Sequence, residues 1–143
     1  MLKILHPVDG SESASRATRQ LIAALGWYRE RPRIDVLTVH LPVPRFPNMS
    51  VVVGEDTIER YYAEEFDRML APSRKALDAA GVAYETRHRV GPIAESIIEE
   101  AKASHADLIF MGTRGMTALS NVVLGSVATR VLHLAHLPVM MIP

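Results

Sequence analysis

Ala106-Asp107-Leu108-Ile109-Phe110-Met111-Gly112-Thr113-Arg114-Gly115 and, nine residues later, Gly125-Ser126 form the stretch on which the fold turns. Residues Ala106 to Met111 are short, apolar and flanked by polar neighbours, the pattern of a central strand in a parallel sheet. The glycine-spaced loop follows, and a helical pattern resumes over Ser126 to Ala135. A strand that ends in a glycine-rich loop and re-enters a helix gathers backbone N–H groups and a positive dipole end at one spot. That setting suits a phosphate group and predicts a nucleotide.

Upstream of this stretch the chain alternates short strands with amphipathic helices. Leu2 to Pro7 is an apolar run that breaks at Pro7-Val8-Asp9-Gly10-Ser11. Ser11 or Ser13 can cap the next helix, whose apolar positions Ala14, Ala17, Leu21, Ala24 and Leu25 recur at helical spacing. Arg33 to His40 is rich in β-branched residues and bounded by Pro32 and Pro42, so it reads as a second strand. Leu41 to Glu55 carries Pro42, Pro44, Pro47, Asn48 and Gly54 around Val51-Val52-Val53 and reads as a long connection without regular structure. A helix follows from Asp56 to about Ala80, with Pro72 expected to kink or split it and Gly81 to end it.

Val82 to Val90 is a more polar strand, fitted to a sheet edge or a solvated site. Pro92 suits the first turn of a helix running to Ser104, with Ile93, Ile97, Ile98 and Ala101 on its inner face. Pro138 to Ile142 is a last strand. Five strands joined by helical crossovers predict an α/β, flavodoxin-like or Rossmann-like doubly wound parallel sheet with helices on both faces. Ligands in such sheets sit beyond the carboxyl ends of the strands, where strand order reverses. The loops at Asp9, His40-Leu41, Gly91-Pro92 and Gly112 all lie at such ends.

Composition narrows the classes. At 143 residues, 48% hydrophobic, the chain fits a single domain over 1–143. Sixteen basic residues balance sixteen acidic ones, so no global field attracts nucleic acid or an anionic membrane. Without cysteine there is no disulfide and no thiolate nucleophile. No apolar run approaches a membrane span, and a cytoplasmic protein is expected. A P-loop ATPase is excluded because Gly125-Ser126 lacks the preceding pattern and the lysine. A dinucleotide-dependent dehydrogenase would need Gly-x-Gly-x-x-Gly after the first strand, where Asp9-Gly10-Ser11 stands instead.

Ile4 to Glu12, Val39-His40, Val90-Gly91-Pro92 and above all Gly112-x2-Gly115-x9-Gly125-Ser126 resemble the universal stress proteins along nearly the whole chain. In that family the last motif marks the branch that binds ATP. The resemblance implies an ATP-binding homodimer, a nucleotide-dependent sensor or regulator of stress responses rather than a fast enzyme. It also implies that the dimer pairs its last strands, Val139 to Ile142, across a two-fold axis. By the same likeness, Asp9 lies beside the ribose or a Mg²⁺ ion bridging the phosphates, while Pro7 and Leu41 border the adenine. The other reading of Asp9 is that it caps the first helix, and the two roles are compatible.

The chemistry of the remaining positions can be read directly. Gly112 and Gly115 are expected to let the backbone approach a triphosphate, with the amides around Thr113 and Arg114 as donors. Ser126 offers a hydroxyl and a helix-start amide, joined by the amides of Val127 and Ala128. Arg114 either adds charge-assisted bonds to phosphate or points to solvent. His6 falls where the family usually has an aliphatic residue and reads as a hydrogen-bonded core histidine. His133 and His136 share a helix end without a third ligand and are not expected to hold a metal. The alternative function is a slow ATPase or adenylyl-transfer enzyme of the related adenine-nucleotide fold. Its candidate groups are Asp9, Arg114 and Arg89, with no ordered acid–base pair discernible.

Overall fold

The computed structural model describes residues 1–44, 54–115 and 123–143. Its elements run β1 (Lys3–Pro7), α1 (Glu12–Ala24), a 3₁₀ turn (Leu25–Trp27), β2 (Arg33–His40), α2 (Glu55–Ala79), β3 (Glu85–Val90), α3 (Ile93–Ala103), β4 (Leu108–Gly112), α4 (Ser126–Leu134) and β5 (Val139–Ile142). The expected connection around Pro47, Asn48 and Val51 to Val53 lies outside the described residues.

All five strands are parallel, in the order β3-β2-β1-β4-β5. This is a doubly wound, flavodoxin-like α/β arrangement, and its strand order reverses between β1 and β4. Side-chain alternation along the strands divides the core in two. Ile4, Ile34, Val36 and Phe110 pack with Leu21, Leu70 and Leu77 of α1 and α2 on one face. Leu5, Leu37, Val39, Ile109 and Met111 pack with Ile97, Ile98 and Val131 of α3 and α4 on the other. Both faces of β1, β2 and β4 are therefore buried, which is why apolar residues predominate at their inner positions.

β3 is an edge strand, as its polarity predicts, and it begins at Glu85 rather than Val82. The first residues after α2 are used to close that helix. Gly81 takes φ +64°, its N–H donates to Asp78 C=O, and Val82 N–H donates to Leu77 C=O, the pairing of a Schellman motif. The same motif closes α3, with His105 at φ 54° and Ala106 N–H donating to Ala101 C=O. It moves the start of β4 from Ala106 to Leu108. Pro72 does not divide α2, which runs unbroken from Glu55 to Ala79. Phe66, Met69 and Leu70 before the proline and Ser73 and Leu77 after it are all buried, so packing holds both sides in line.

His6 lies on the α1 face of β1, fully buried. Its Nδ1 is 2.6 Å from Phe110 C=O and its Nε2 is 2.9 Å from Thr18 Oγ1, which in turn contacts Ser73 Oγ at 2.8 Å. The carbonyl can only accept, so Nδ1 carries the proton. Thr18 Oγ1, whose one proton serves the Ala14 C=O at 2.9 Å or Nε2, links the ring to α1. Burial, partly offset by the Phe110 hydrogen bond, lowers the imidazole from 6.5 to about 4. A neutral histidine thus ties β1 and β4 to α1 and α2, the core role expected from sequence.

Candidate functional site

Two loops meet where the strand order reverses. After β1, Asp9 Oδ1 accepts the Ser11 N–H at 2.9 Å, and Ser11 Oγ caps α1 by accepting the Ala14 N–H at 3.1 Å. Asp9 therefore shapes the turn, and Ser11 is the cap. Gly10 takes φ +81°, and a Cβ there would lie 3.2 Å from Met69 Cα, so the turn sits directly against α2. After β4, the Gly112 to Gly115 loop runs alongside. A Cβ on Gly115 would lie 3.1 Å from Asp9 Oδ2.

Gly112 has a different physical reason from the one its motif suggests. A Cβ at that position would come 2.6 Å from Ser13 Oγ and 3.0 Å from Ser13 C=O. The glycine is required by the close packing of β4 on the first turn of α1. The loop amides also depart from expectation. Thr113 N–H donates to Ile142 C=O, Arg114 N–H to Ser13 Oγ and Gly125 N–H to Thr113 C=O. None of these three amides is free for a ligand.

The bond from Gly125 to Thr113 brings the start of α4 beside the loop. No side chain caps α4. Of the four N–H groups that a helix start leaves without intrahelical partners, Gly125 has spent one. Those of Ser126, Val127 and Ala128 remain without a partner among the described residues, together with the helix dipole. α1 differs, because its first turn is already served by Ser11.

These parts enclose a cleft of about 620 Å³ beyond the ends of β1, β2 and β4. Pro7, Asp9, Leu41, Gly112, Thr113, Arg114, Gly115, Gly125, Ser126, Val127 and Ala128 all line it. One side is apolar, formed by Val39, Ile93, Ile97 and Met111; the other carries Asp9, the glycine loop and the α4 start. A volume within the usual range for small-molecule sites, with apolar side chains and a set of donors in one lining, fits a ligand with an apolar ring and an anionic tail.

The model of the Universal stress protein family matches residues 1–143. The chain belongs to that family. Among relatives, the universal stress protein MJ0531 of Methanocaldococcus jannaschii is 32% identical over 141 residues, 98% of this chain and 81% of that protein. The solved structure of the protein MJ0577 aligns with TM-score 0.80 at 28% identity, covering 99% of this chain and 94% of the other. A universal stress protein family member from Arabidopsis thaliana with AMP bound shares the fold at TM-score 0.68 and 18% identity, over 99% and 91% of the two chains.

This universal stress protein also places residues at the cleft that the sequence motifs did not single out. Glu65, Arg68 and Met69 of α2 line it with His40 of β2. Arg68 donates to both Glu65 carboxylate oxygens, and His40 Nε2 stands 3.4 Å from Glu65 Oε2. The Arg68 hydrogen bond lowers the Glu65 carboxyl below its ordinary value. His40 Nδ1 lies 2.6 Å from Leu41 C=O, and the Tyr61 and Tyr62 rings meet the imidazole edge to face. Nδ1 donates to the Leu41 carbonyl, and through Nε2 and Glu65 the ring ties β2 to α2. The i, i+3 spacing of Glu65 and Arg68 is visible in sequence, but it reads equally as a solvated helix pair.

Arg89 is not at the site. It lies on β3 and pairs with Glu99 and Glu100 of α3, at 3.1 and 2.5 Å. Among the described residues, no group of three His, Cys, Asp or Glu side chains is arranged to hold a metal ion, so His133 and His136 have no such company. No helix among them is long and apolar enough to cross a membrane.

Proposed function

We propose that the cleft binds an adenine nucleotide, with ATP as the physiological ligand, and that occupancy regulates a stress response without fast turnover. The observation that carries this reading is the uncapped start of α4 beside Thr113 to Gly115, facing Asp9 across a cleft with an apolar end. The base lies against Val39, Ile93 and Met111, with Leu41 and Pro7 at its border. The phosphates lie on Ser126, Val127 and Ala128. The AMP carried by the Arabidopsis neighbour supports the choice of adenine.

Asp9 accepts from the sugar hydroxyls or contributes one oxygen to Mg²⁺. Asp9 belongs to no three-ligand cluster among the described residues, which fits a magnesium ion held mainly by phosphate oxygens and water. The chain acts in the cytoplasm as a homodimer paired through β5, an edge strand bonded to β4 alone.

Native mass spectrometry of the freshly purified protein, with identification of any released nucleotide, tests the reading. A bound adenine nucleotide, or binding of added ATP at millimolar concentration, is expected. Failure of both refutes it. The hydrolase or adenylyl-transfer alternative is weakened by Arg89, which stands on β3 and is paired with Glu99 and Glu100 of α3 rather than lining the cleft. Time courses of ADP and AMP release by wild type and Asp9→Ala separate the two functions, since a turnover enzyme would slow on the substitution.

A further inference from the structure

Among the described residues, two buried side-chain polar atoms have no hydrogen-bond partner, Thr113 Oγ1 and Arg114 Nε. They are consecutive, and both residues line the cleft. Thr113 is only 6% exposed, so water does not readily compensate its hydroxyl. A buried hydroxyl or guanidinium nitrogen left unpaired costs free energy, and such groups in a cleft mark places where a ligand supplies the partner. The other cleft arginine, Arg68, is committed to Glu65. Arg114 has no ion-pair partner among the described residues.

We infer that Thr113 and Arg114 select polyphosphate, a nucleoside di- or triphosphate, over a mono- or cyclic phosphate. The inference rests on the adenine-nucleotide reading above and adds the length of the phosphate chain to it. The backbone N–H groups of Thr113 and Arg114 are bonded within the protein, to Ile142 C=O and Ser13 Oγ, so these two residues meet an anion with their side chains. The α4-start amides of Ser126, Val127 and Ala128, without partners among the described residues, match the three terminal oxygens of one phosphate group. The Thr113 hydroxyl and the Arg114 guanidinium are further donors beside that first set, and they require further oxygens. Adding phosphates to the ligand supplies them, and each added phosphate also brings negative charge to the free guanidinium.

Isothermal titration of the full chain with adenosine, AMP, ADP and ATP tests this, using wild type, Arg114→Gln, Arg114→Lys, Thr113→Val and Thr113→Ser. Wild type is expected to bind ATP more tightly than AMP. Arg114→Gln should weaken ATP by about tenfold, the loss of one charge-assisted contact, and leave adenosine and AMP within about twofold. Arg114→Lys should recover part of the ATP loss, and Thr113→Ser should retain what Thr113→Val loses. Equal weakening of AMP and ATP by Arg114→Gln, or no weakening of ATP, overturns the inference while leaving nucleotide binding intact. Wild type that binds none of the four ligands overturns the reading beneath it. Far-UV circular dichroism of each variant identifies any substitution that acts through folding. If a Thr113 variant is misfolded, the Arg114→Gln and Arg114→Lys pair decides.

Discussion

Acidification should destabilise this protein well before its carboxylates titrate, through His6. The imidazole is fully buried, neutral and bonded at both nitrogens, and its value is lowered from 6.5 to about 4. Between those values the unfolded chain binds a proton that the native state refuses. Stability is therefore complete above pH 6.5, declines as the pH falls, and levels off below about 4. At ~1.4 kcal/mol per pH unit the full loss is about 3 kcal/mol, of which ~2.5 kcal/mol is gone by pH 4.5. That is a large share of a typical domain's stability.

The assay is urea denaturation of wild type and His6→Leu at intervals from pH 7.5 to 4.5. Other titrating groups contribute to both profiles and cancel in the difference. Leucine removes two hydrogen bonds and offsets the whole curve, so the slope of the difference is the quantity read. Wild type should lose about 2.5 kcal/mol relative to the variant across this range. Parallel profiles would refute the reasoning, as would an NMR titration placing the His6 ring near its ordinary value.

Gly112→Ala should destabilise the fold by ~1–3 kcal/mol, because its Cβ would stand 2.6 Å from Ser13 Oγ and 3.0 Å from Ser13 C=O. Unchanged stability with lost nucleotide binding would instead return that glycine to the ligand. Sedimentation equilibrium should show a dimer at micromolar concentration, and a monomer throughout would remove the proposed pairing through β5.

The strand and helix periodicities of this chain were legible without coordinates, as was the loop cluster at the strand ends, because each reflects local spacing and burial on both sheet faces. The misplaced boundaries at Val82 and Ala106 share one cause. Residues that look like the first of a strand close the preceding helix, through Gly81 in one case and His105 in the other. A histidine in the left-handed region gives no sequence signal comparable to glycine.

By itself the sequence determined the family pattern, the order of elements and the residues that line one cleft, since motif spacing and turn chemistry are local. Only the tertiary structure decided what each motif residue does there. Gly112 serves Ser13, the Thr113 and Arg114 amides are already bonded, Arg89 is paired with Glu99 and Glu100 of α3, and Glu65 and Arg68 arrive from a helix with no motif. The reason is that a backbone donor's availability depends on partners distant in the chain. Ser13 is 101 residues from Arg114, and no spacing rule reaches that far.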